Sequence, residues 1–332
     1  PLKKILSLRH PETDEESAIK KTARESEAFY RELLASAFLI QSLDRFVGRT
    51  LGALRCMRDT FPKSLLHKAM SYDPDILTSS LHRKTLRTDN KIFLGAKAYF
   101  LKKLTGLGFP IPEGFVLTTE LFRNRDLIVK HTRMEEEVDQ MIFREVRELE
   151  KRTRRNFGSP DNPLLLSVRS GTAFSMPGAM NTFLNVGLNR QIAEAMARKE
   201  ENAWSAWDCY RRLLQSWGMA YGIPRDRFDL IMSEMKQEIG VAWKKSFTPN
   251  QMKTLADRYH AVLSENRIHF ETDPYEQLKK AILAVMDSWS SNRARVYRQH
   301  LQIADEWGTA VLVQRMVFGN LSETSGTGVV FT

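Results

Sequence analysis

Candidate strands lie on both sides of one long helical stretch, and this order restricts the fold more than any other feature of the sequence. The strand candidates are short apolar runs at residues 115–117, 164–168, 182–186, 310–318 and 328–331. Residues from about 189 to 305 instead follow helical spacing. This stretch is interrupted where turn-forming residues cluster, at Gly222-Ile223-Pro224, Thr248-Pro249 and Asp273-Pro274. The sequence therefore predicts an α+β fold in which strands enclose a large helical insertion.

The first 90 residues differ from the rest of the chain. Residues from about 12 to 72 follow 3.6-residue spacing, which predicts helix. The stretch from Ser71 to Asn90 is polar and contains Pro74 and paired serines, which predicts a linker. A further helix is expected from Phe93 to Leu107. We expect an extra helical region ahead of the mixed α+β region.

The charge balance favours polyanionic ligands. Fifty Lys and Arg residues against 40 Asp and Glu residues give a formal net charge of +10, which attracts nucleotide phosphates, nucleic acid or acidic lipid without specifying a fold. Two cysteines are too few for a disulfide scaffold or a four-thiolate zinc site, so we expect a reducing, cytoplasmic location. The sequence has no signal-peptide core and no run of roughly 20 apolar residues, so we expect neither secretion nor a membrane partner.

The two ends of the chain suggest a piece of a longer protein. The sequence opens on Pro1 and stops in the apolar run Val329-Val330-Phe331-Thr332, with no polar tail after it. Natural termini are usually solvated. We therefore expect further segments.

The segment from Ser167 to Thr182 is the strongest candidate binding site. A predicted strand places Arg169 near its end, and a loop with glycines and hydroxyl groups follows. Backbone N–H groups and hydroxyls in such a loop bind phosphate oxygens, and a guanidinium binds them in bidentate fashion. The alternative is a hairpin whose glycines only satisfy backbone angles.

Two further segments could belong to the same site. Lys97 follows a glycine at the opening of a helix, where anions are favoured; a solvated surface lysine is the alternative. Residues 311–319 alternate as a strand with Gln314 and Met316 on one face, which predicts either a pocket for a flat base or a plain core strand. The polar loop 324–328 could close over phosphates or form a simple turn.

Other chemistries have less support. The seven histidines show neither metal-ligand spacing nor a Ser-His-Asp arrangement, so we assign no metal ligand within the chain. The basic run 151–155 ends a helix rich in glutamate, which favours a solvated amphipathic helix over a nucleic-acid site. We therefore expect no nucleic-acid partner.

An ordered set of segments resembles the N-terminal nucleotide-binding region of the pyruvate, phosphate dikinase family, with a weaker likeness to phosphoenolpyruvate synthase. The resemblance runs from about Phe93 to Thr332. It is carried by the helix start at Lys97, Phe109 to Phe115, the Ser167 to Thr182 loop, Tyr210-Arg211-Arg212, Ser288-Trp289 to Tyr297-Arg298, and Trp307-Gly308-Thr309-Ala310 through Phe331.

The resemblance implies an ATP-grasp-like domain, in which ATP is held between two lobes. The implied regions are a helical N-terminal region and linker (1–88), a first ATP-grasp lobe (89–188), a helical insertion subdomain (189–306), and return strands that begin the second part (307–332). It also implies that Lys97 and Arg169 are catalytic phosphate-binding residues, and that Arg212 meets a docked histidine domain. The implied ATP contacts are Gly95, Ser170, Gly171, Thr172, Ser175, Gly178, Gln314, Met316 and Val317.

The reaction implied by the resemblance passes phosphate from Mg-bound ATP to a histidine on a separate domain. That histidine exchanges phosphate with pyruvate and phosphoenolpyruvate on another domain of the same longer protein, so the chain alone is expected to be inactive. The Mg²⁺ ligands are expected downstream of Thr332. A homodimer is left open.

Two departures from the family pattern keep an alternative function open. The lysine loop reads Gly95-Ala96-Lys97-Ala98 where the family usually has Gly-Gly-Lys-Gly, and Asn181 stands where an aspartate is usual. These changes favour the alternative of a non-catalytic nucleotide-sensing or interaction module.

Overall fold

The computed structural model describes residues 15–60, 73–125, 128, 132–174, 176–198, 202–319 and 324–328. The chain divides into two compact units, residues 1–72 and residues 73–332. The first unit contains the helix α1 (Glu15–Thr60), which confirms the predicted helix over that range. The rest of the predicted helical stretch, at 12–14 and 61–72, lies outside the described residues.

A five-stranded antiparallel sheet forms the centre of the second unit. The strands of this unit are β1 (Thr78–Ser80), β2 (Gly114–Leu117), β3 (Asn156–Phe157), β4 (Pro163–Leu164), β5 (Leu166–Gly171), β6 (Thr182–Val186) and β7 (Ala310–Arg315). The main sheet has the order β1-β2-β7-β5-β6, and β3 and β4 form a separate parallel pair. Strand β7, which follows the helical insertion, therefore lies between two strands that precede it.

Helices account for most of the remaining residues of this unit. They are α2 (Lys91–Gly106), α3 (Thr119–Arg123), α4 (Thr132–Thr153), α5 (Arg190–Ala197), α6 (Ala203–Ala220), α7 (Arg225–Ile239), α8 (Pro249–Glu265), α9 (Pro274–Asp287) and α10 (Asn292–Leu301). Side-chain caps fix several starts: Thr248 and Gln251 form a capping box at α8, and Asp273 caps α9. The helical insertion and its three breaks are thus confirmed, and so is the α+β class.

One face of the sheet carries the polar residues of interest. Residues that pair directly across strands share a face, so Val116, Leu312 and Arg169 lie on the same side. Helix α2 packs on this side, where Leu94 and Ala98 form a buried cluster with Val116 and Leu312.

The opposite face is apolar throughout its centre. Phe115, Val313, Val168 and Phe183 are completely buried there. The ring of Phe183 contacts Trp217 of α6, with 5.8 Å between ring centroids. Burying each such side chain stabilises the fold by roughly 1.5–3 kcal/mol, so this face anchors the sheet on the insertion.

The structure corrects two sequence predictions. The segment predicted as a linker contains β1, which pairs with β2 residue by residue from Thr78 opposite Leu117. Strand β7 ends at Arg315, so the predicted strand is wrong for residues 316–318. The strand predicted at 328–331 falls outside the described residues except for Gly328.

None of the described helices is long and apolar enough to cross a membrane.

Candidate functional site

Helix α2 is broken at Gly95, whose backbone has φ 73° and ψ 161°. A residue without a Cβ adopts this conformation readily, and other residues do not. A Cβ on Gly95 would lie 2.9 Å from the Cα of Gly171 and closer still to its carbonyl group. The N–H of Ala96 donates to the carbonyl of Thr172 at 2.8 Å. The break therefore fixes the start of the Lys97 helix against the end of β5.

Arg169 lies on β5, on the face of the sheet that α2 covers, and is half-buried. Its Nη2 donates to Oε1 of Gln314 at 2.7 Å. Its Nε is buried and has no hydrogen-bond partner among the described residues. Burial lowers the pKa of Arg169, and within the described part of the chain no carboxylate pairs with it. The part of the chain that the structure describes thus holds a guanidinium charge without neutralising it.

Lys97 is the second cation of this site. Desolvation by the surrounding protein lowers the pKa of Lys97, although the side chain as a whole remains exposed, and the charge of Arg169 lowers it further. The two cations are therefore close enough for the charge of Arg169 to disfavour the charged form of Lys97. A bound anion would relieve both the repulsion and the cost of desolvation. Clustered groups with perturbed pKa values are typical of functional sites.

The loop after β5 is anchored in the helical insertion. Met176 and Ala179 are buried in one cluster with Trp289 and Ala294. These partners come from the turn after α9 and from α10. The loop is therefore seated on the insertion by apolar packing rather than projecting freely.

Two further contacts hold the same loop. The ring of Phe174 stacks on Trp307 with 5.8 Å between centroids. Arg293 donates to the carbonyl of Gly178 at 3.1 Å, and Gly178 has φ 71°. The loop carries a left-handed residue where its backbone is tied to α10, which explains the glycine at this position.

The structure brings some of the predicted site residues together and leaves others apart from them. Those brought together are Gly95, Lys97, Arg169, Gly171, Thr172 and Gln314. Ser170 alternates with Arg169 on β5, so its side chain lies on the opposite face of the sheet. Met316 and Val317 follow the end of β7, and Val317 is exposed. Ser175 lies outside the described residues. The roles of all these residues remain predictions.

Arg212 lies in the helical insertion, on α6, and no contact joins it to the cations of the sheet face within the described residues. Its Nε donates to Oδ2 of the buried Asp208 at 3.0 Å. Arg211 and Lys244 also donate to Asp208, Lys244 at 2.7 Å. Burial by itself raises the pKa of Asp208, but the three cations outweigh it and lower the pKa to about 2. We name Asp208, Arg211, Arg212 and Lys244 the Asp208 cluster.

Sequence reasoning missed most of these supporting residues. The i, i+3 and i+4 spacing of Asp208, Arg211 and Arg212 is a recognisable signal for ion pairs along a helix. No comparable signal links Lys244 to Asp208, or Arg293 to Gly178, because these pairs are joined only by tertiary packing.

Both departures from the family pattern form hydrogen bonds. The N–H of Ala96 donates to the carbonyl of Thr172, and the Nδ2 of Asn181 donates to the carbonyl of Ala284 at 3.2 Å.

Across the described ranges, no group of three or more His, Cys, Asp or Glu side chains is arranged to hold a metal ion.

The chain matches a known family model and several curated proteins of one kind. The family model of the pyruvate phosphate dikinase AMP/ATP-binding domain matches residues 123–332. The chain is similar to pyruvate, phosphate dikinase of Clostridium symbiosum, at 43% identity over 242 residues, which cover 72% of this chain and 28% of that protein. It is 40% identical over 259 residues to the chloroplastic pyruvate, phosphate dikinase of Flaveria pringlei, covering 77% of this chain and 27% of the relative.

The dikinase of Entamoeba histolytica is 40% identical over 247 residues, covering 73% of this chain and 28% of that relative. The chain thus spans little more than a quarter of the length of the curated relatives it matches. The resemblance inferred from the sequence motifs is confirmed.

Proposed function

The chain belongs to the family of the pyruvate phosphate dikinase AMP/ATP-binding domain, and from this premise we propose that it is the ATP-binding portion of a longer phosphotransferase. In this proposal it binds Mg·ATP and transfers phosphate to a histidine on a separate domain. The longer protein then interconverts pyruvate and phosphoenolpyruvate on a further domain.

The proposal rests on two cations, Arg169 and Lys97, that lie where the backbones of Gly95 and Gly171 meet. Arg169 has no carboxylate partner among the described residues, and its charge acts on Lys97. The contact between Gly95 and Gly171 brings the start of the Lys97 helix to the strand that carries Arg169. Phosphoryl transfer requires alignment and positive charge around the moving group more than covalent help from the protein. These residues supply both.

The same arrangement supports an ATP-grasp-like reading of the fold. We assign α2 and the strands β2, β5 and β6 to the first lobe, with ATP phosphates between Arg169, Lys97 and the loop after β5. The return strand β7 would begin the second part and place Met316 and Val317 near the adenine. The boundaries at 88, 188 and 306 are part of this proposal.

The Mg²⁺ of the substrate needs oxygen ligands that the described residues do not gather in one place. The described residues thus do not fit a metal site. We expect its protein ligands beyond Thr332.

Arg212 is proposed to contact the domain that carries the acceptor histidine. Its guanidinium is half exposed, and Asp208 holds only the inner edge through Nε. An exposed, oriented guanidinium is suited to a phosphorylated or acidic partner surface. This position on the insertion, apart from the cations of the sheet face, is consistent with a docking role.

A calorimetric titration with Mg·ATP tests the proposal. We expect Arg169→Ala to weaken binding by roughly 10- to 150-fold, because a charge-assisted hydrogen bond contributes about 1.5–3 kcal/mol. The matched control is Arg258→Ala, which removes an exposed arginine paired with Glu238, and we expect it to bind like the wild type. Equal binding by all three proteins would remove Arg169 from the phosphate site.

A non-catalytic nucleotide-sensing or interaction module is the second candidate. It is favoured by the N–H of Ala96, which donates to Thr172 and so is not free to bind phosphate in this arrangement. It is also favoured by Asn181, a neutral amide tied through Nδ2 to the carbonyl of Ala284 where the family usually has a carboxylate. The two candidate functions predict different products when the longer protein is incubated with ATP that carries labelled phosphate. Labelled phosphate on a histidine supports the enzyme, and ATP binding without phosphohistidine supports the module.

A further inference from the structure

Gln314 is buried, with 4% of its surface exposed, and both ends of its side-chain amide are engaged. Its Nε2 donates to the carbonyl of Pro112 at 2.9 Å. A carbonyl oxygen can only accept, so this contact fixes which end of the amide is the nitrogen. The oxygen Oε1 therefore faces Arg169 and accepts from its Nη2 at 2.7 Å.

The turn that contains Pro112 is tied to the same end of β7. The N–H of Arg315 donates to the carbonyl of Glu113 at 2.8 Å, and the two side chains form an ion pair at 2.8 Å. These contacts hold Glu113 against Arg315, and so hold the neighbouring Pro112 carbonyl against Gln314. The turn therefore fixes the position of the Gln314 amide, and the amide fixes the position of Arg169.

The acceptor that orients Arg169 is neutral, and this has a chemical consequence. A carboxylate in the same place would orient the guanidinium but would also neutralise it. Gln314 leaves the full charge of Arg169 available, together with the Nε that has no partner among the described residues. A neutral amide therefore suits an arginine that must bind an external anion.

We propose that Gln314 is a positioning residue for the phosphate-binding Arg169, and that its side chain does not read the edge of the base. This inference rests on the proposed function. It replaces the expectation that Gln314 lines the adenine pocket, since the amide that would read adenine is committed to Arg169 and Pro112.

Three probes separate the two roles in a titration of the chain and its Gln314→Met variant: Mg·ATP, inorganic tripolyphosphate and adenosine. We expect Gln314→Met to weaken binding of ATP and tripolyphosphate by roughly 3- to 10-fold, the effect of a misplaced charged donor. Adenosine has no phosphate, so its affinity stays unchanged. In an Arg169→Ala background, Gln314→Met should cause no further loss, because the residue acts only through Arg169.

Gln277→Met is the matched control. Gln277 is buried like Gln314, accepts from the N–H of Gly187 at 2.7 Å and donates to the carbonyl of Glu271 at 2.8 Å. It lies on α9 and does not contact Arg169. Its variant reports the effect of losing a buried amide elsewhere, so we expect a lower unfolding midpoint with unchanged tripolyphosphate affinity.

Gln314→Glu provides a second variant of nearly the same shape. We expect it to lose more tripolyphosphate affinity than Gln314→Met, because the carboxylate neutralises Arg169. A loss of adenosine affinity as large as the loss of ATP affinity would show that Gln314 reads the base and would overturn the inference. Fully additive losses with Arg169→Ala would also overturn it. If the wild type binds neither ATP nor tripolyphosphate, the proposed function fails, and this inference fails with it.

Discussion

Gly95 and Gly171 are packed against one another from both sides. A Cβ on Gly95 would meet the main chain of Gly171, and a Cβ on Gly171 would lie 3.0 Å from the carbonyl oxygen of Leu94. Two segments that are distant in sequence therefore approach as closely as bare backbones allow. The glycine that the family pattern places before the lysine is explained here by contact with β5 and by its positive φ.

The first prediction concerns this contact. Gly95→Ala combines a strained backbone conformation with a collision against main-chain atoms that cannot move aside. We expect it to lower the free energy of unfolding by at least about 2 kcal/mol, measured by urea denaturation. Gly106→Ala in the same helix is the control, because nothing lies within 4 Å of its added Cβ. Similar losses in both variants would contradict the packing described for Gly95.

The second prediction concerns the acid stability of the Asp208 cluster. The pKa of Asp208 is lowered from 3.8 to about 2 in the folded protein, so the folded state binds this proton less tightly than the unfolded state. The ionised carboxylate contributes about 2 kcal/mol of stability above pH 3.8, which is lost as the pH falls towards 2. We expect the free energy of unfolding to show this loss in the wild type between pH 4 and about 2.

Asp208→Asn tests this directly. It leaves three cations around a neutral group, so we expect it to be less stable at neutral pH by about 3–5 kcal/mol and to lack the acid-dependent loss. Asp257→Asn, which removes an exposed partner of Arg190, is the comparison. A wild-type and an Asp208→Asn curve that stay parallel down to pH 2 would argue against the assignment.

The third prediction is a pH dependence of ATP binding and rests on the proposed function. Desolvation and the charge of Arg169 lower the pKa of Lys97 in the free chain, so it loses its charge at a lower pH than an ordinary lysine does. Bound phosphate favours the charged form and raises that pKa again. ATP affinity should therefore fall as the pH rises from 7 towards 10, and binding in this range should take up protons.

Calorimetry in buffers of different ionisation enthalpy measures that proton uptake. We expect Lys97→Met to bind ATP more weakly at pH 7 and to show a flatter pH profile. Lys245→Met, at an exposed position of the insertion, should follow the wild type. A Lys97→Met profile as steep as that of the wild type would assign the pH dependence to another group.

The fourth prediction concerns the loop after β5. Replacing Trp307 by leucine removes the ring that stacks on Phe174, and such a pair contributes about 0.5–1.5 kcal/mol beyond area burial. We expect amide hydrogens of residues 172–174, 176 and 178–181 to exchange roughly 2- to 10-fold faster, with little change in the rest of the sheet. Trp243→Leu, at a tryptophan that is 68% exposed, should leave the loop unchanged. Uniformly faster exchange would indicate global destabilisation instead.

Much of the fold could be predicted because its strands carry local signals. The run predicted at 182–186 forms β6 with the same boundaries, since turns bound it on both sides. Strand β1 carried no such signal, because Thr78, Ser79 and Ser80 are polar. Ser79 is nevertheless buried, and Lys102 donates to its hydroxyl at 2.9 Å. Polar burial of this kind depends on a partner far along the chain, which no hydrophobic pattern reports.

The candidate site was predictable in part for a related reason. Arg169 and Lys97 stood out through glycine-containing surroundings and through the family resemblance. The hydrogen bond between Arg169 and Gln314 did not, because the two residues are 145 positions apart and meet only through the register of β5 on β7. The alternation predicted for β7 put Gln314 and Met316 on one face, although the strand ends before Met316. It could not show that Arg169 lies diagonally across from Gln314 on the same face.

The central position of β7 has a consequence for the newly made chain. Strands β2 and β5 each pair with β7 and not with one another, so the sheet stays in two pieces until residues 310–315 leave the ribosome. At common rates of synthesis the insertion takes on the order of ten seconds to produce. During that interval the inner edges of β2 and β5 are open to other nascent chains. Gln314, the acceptor for Arg169, has not yet been synthesised. We expect the helices of the insertion to fold first, since their contacts are local, and the arrival of β7 to complete the sheet and the anion site in the same event.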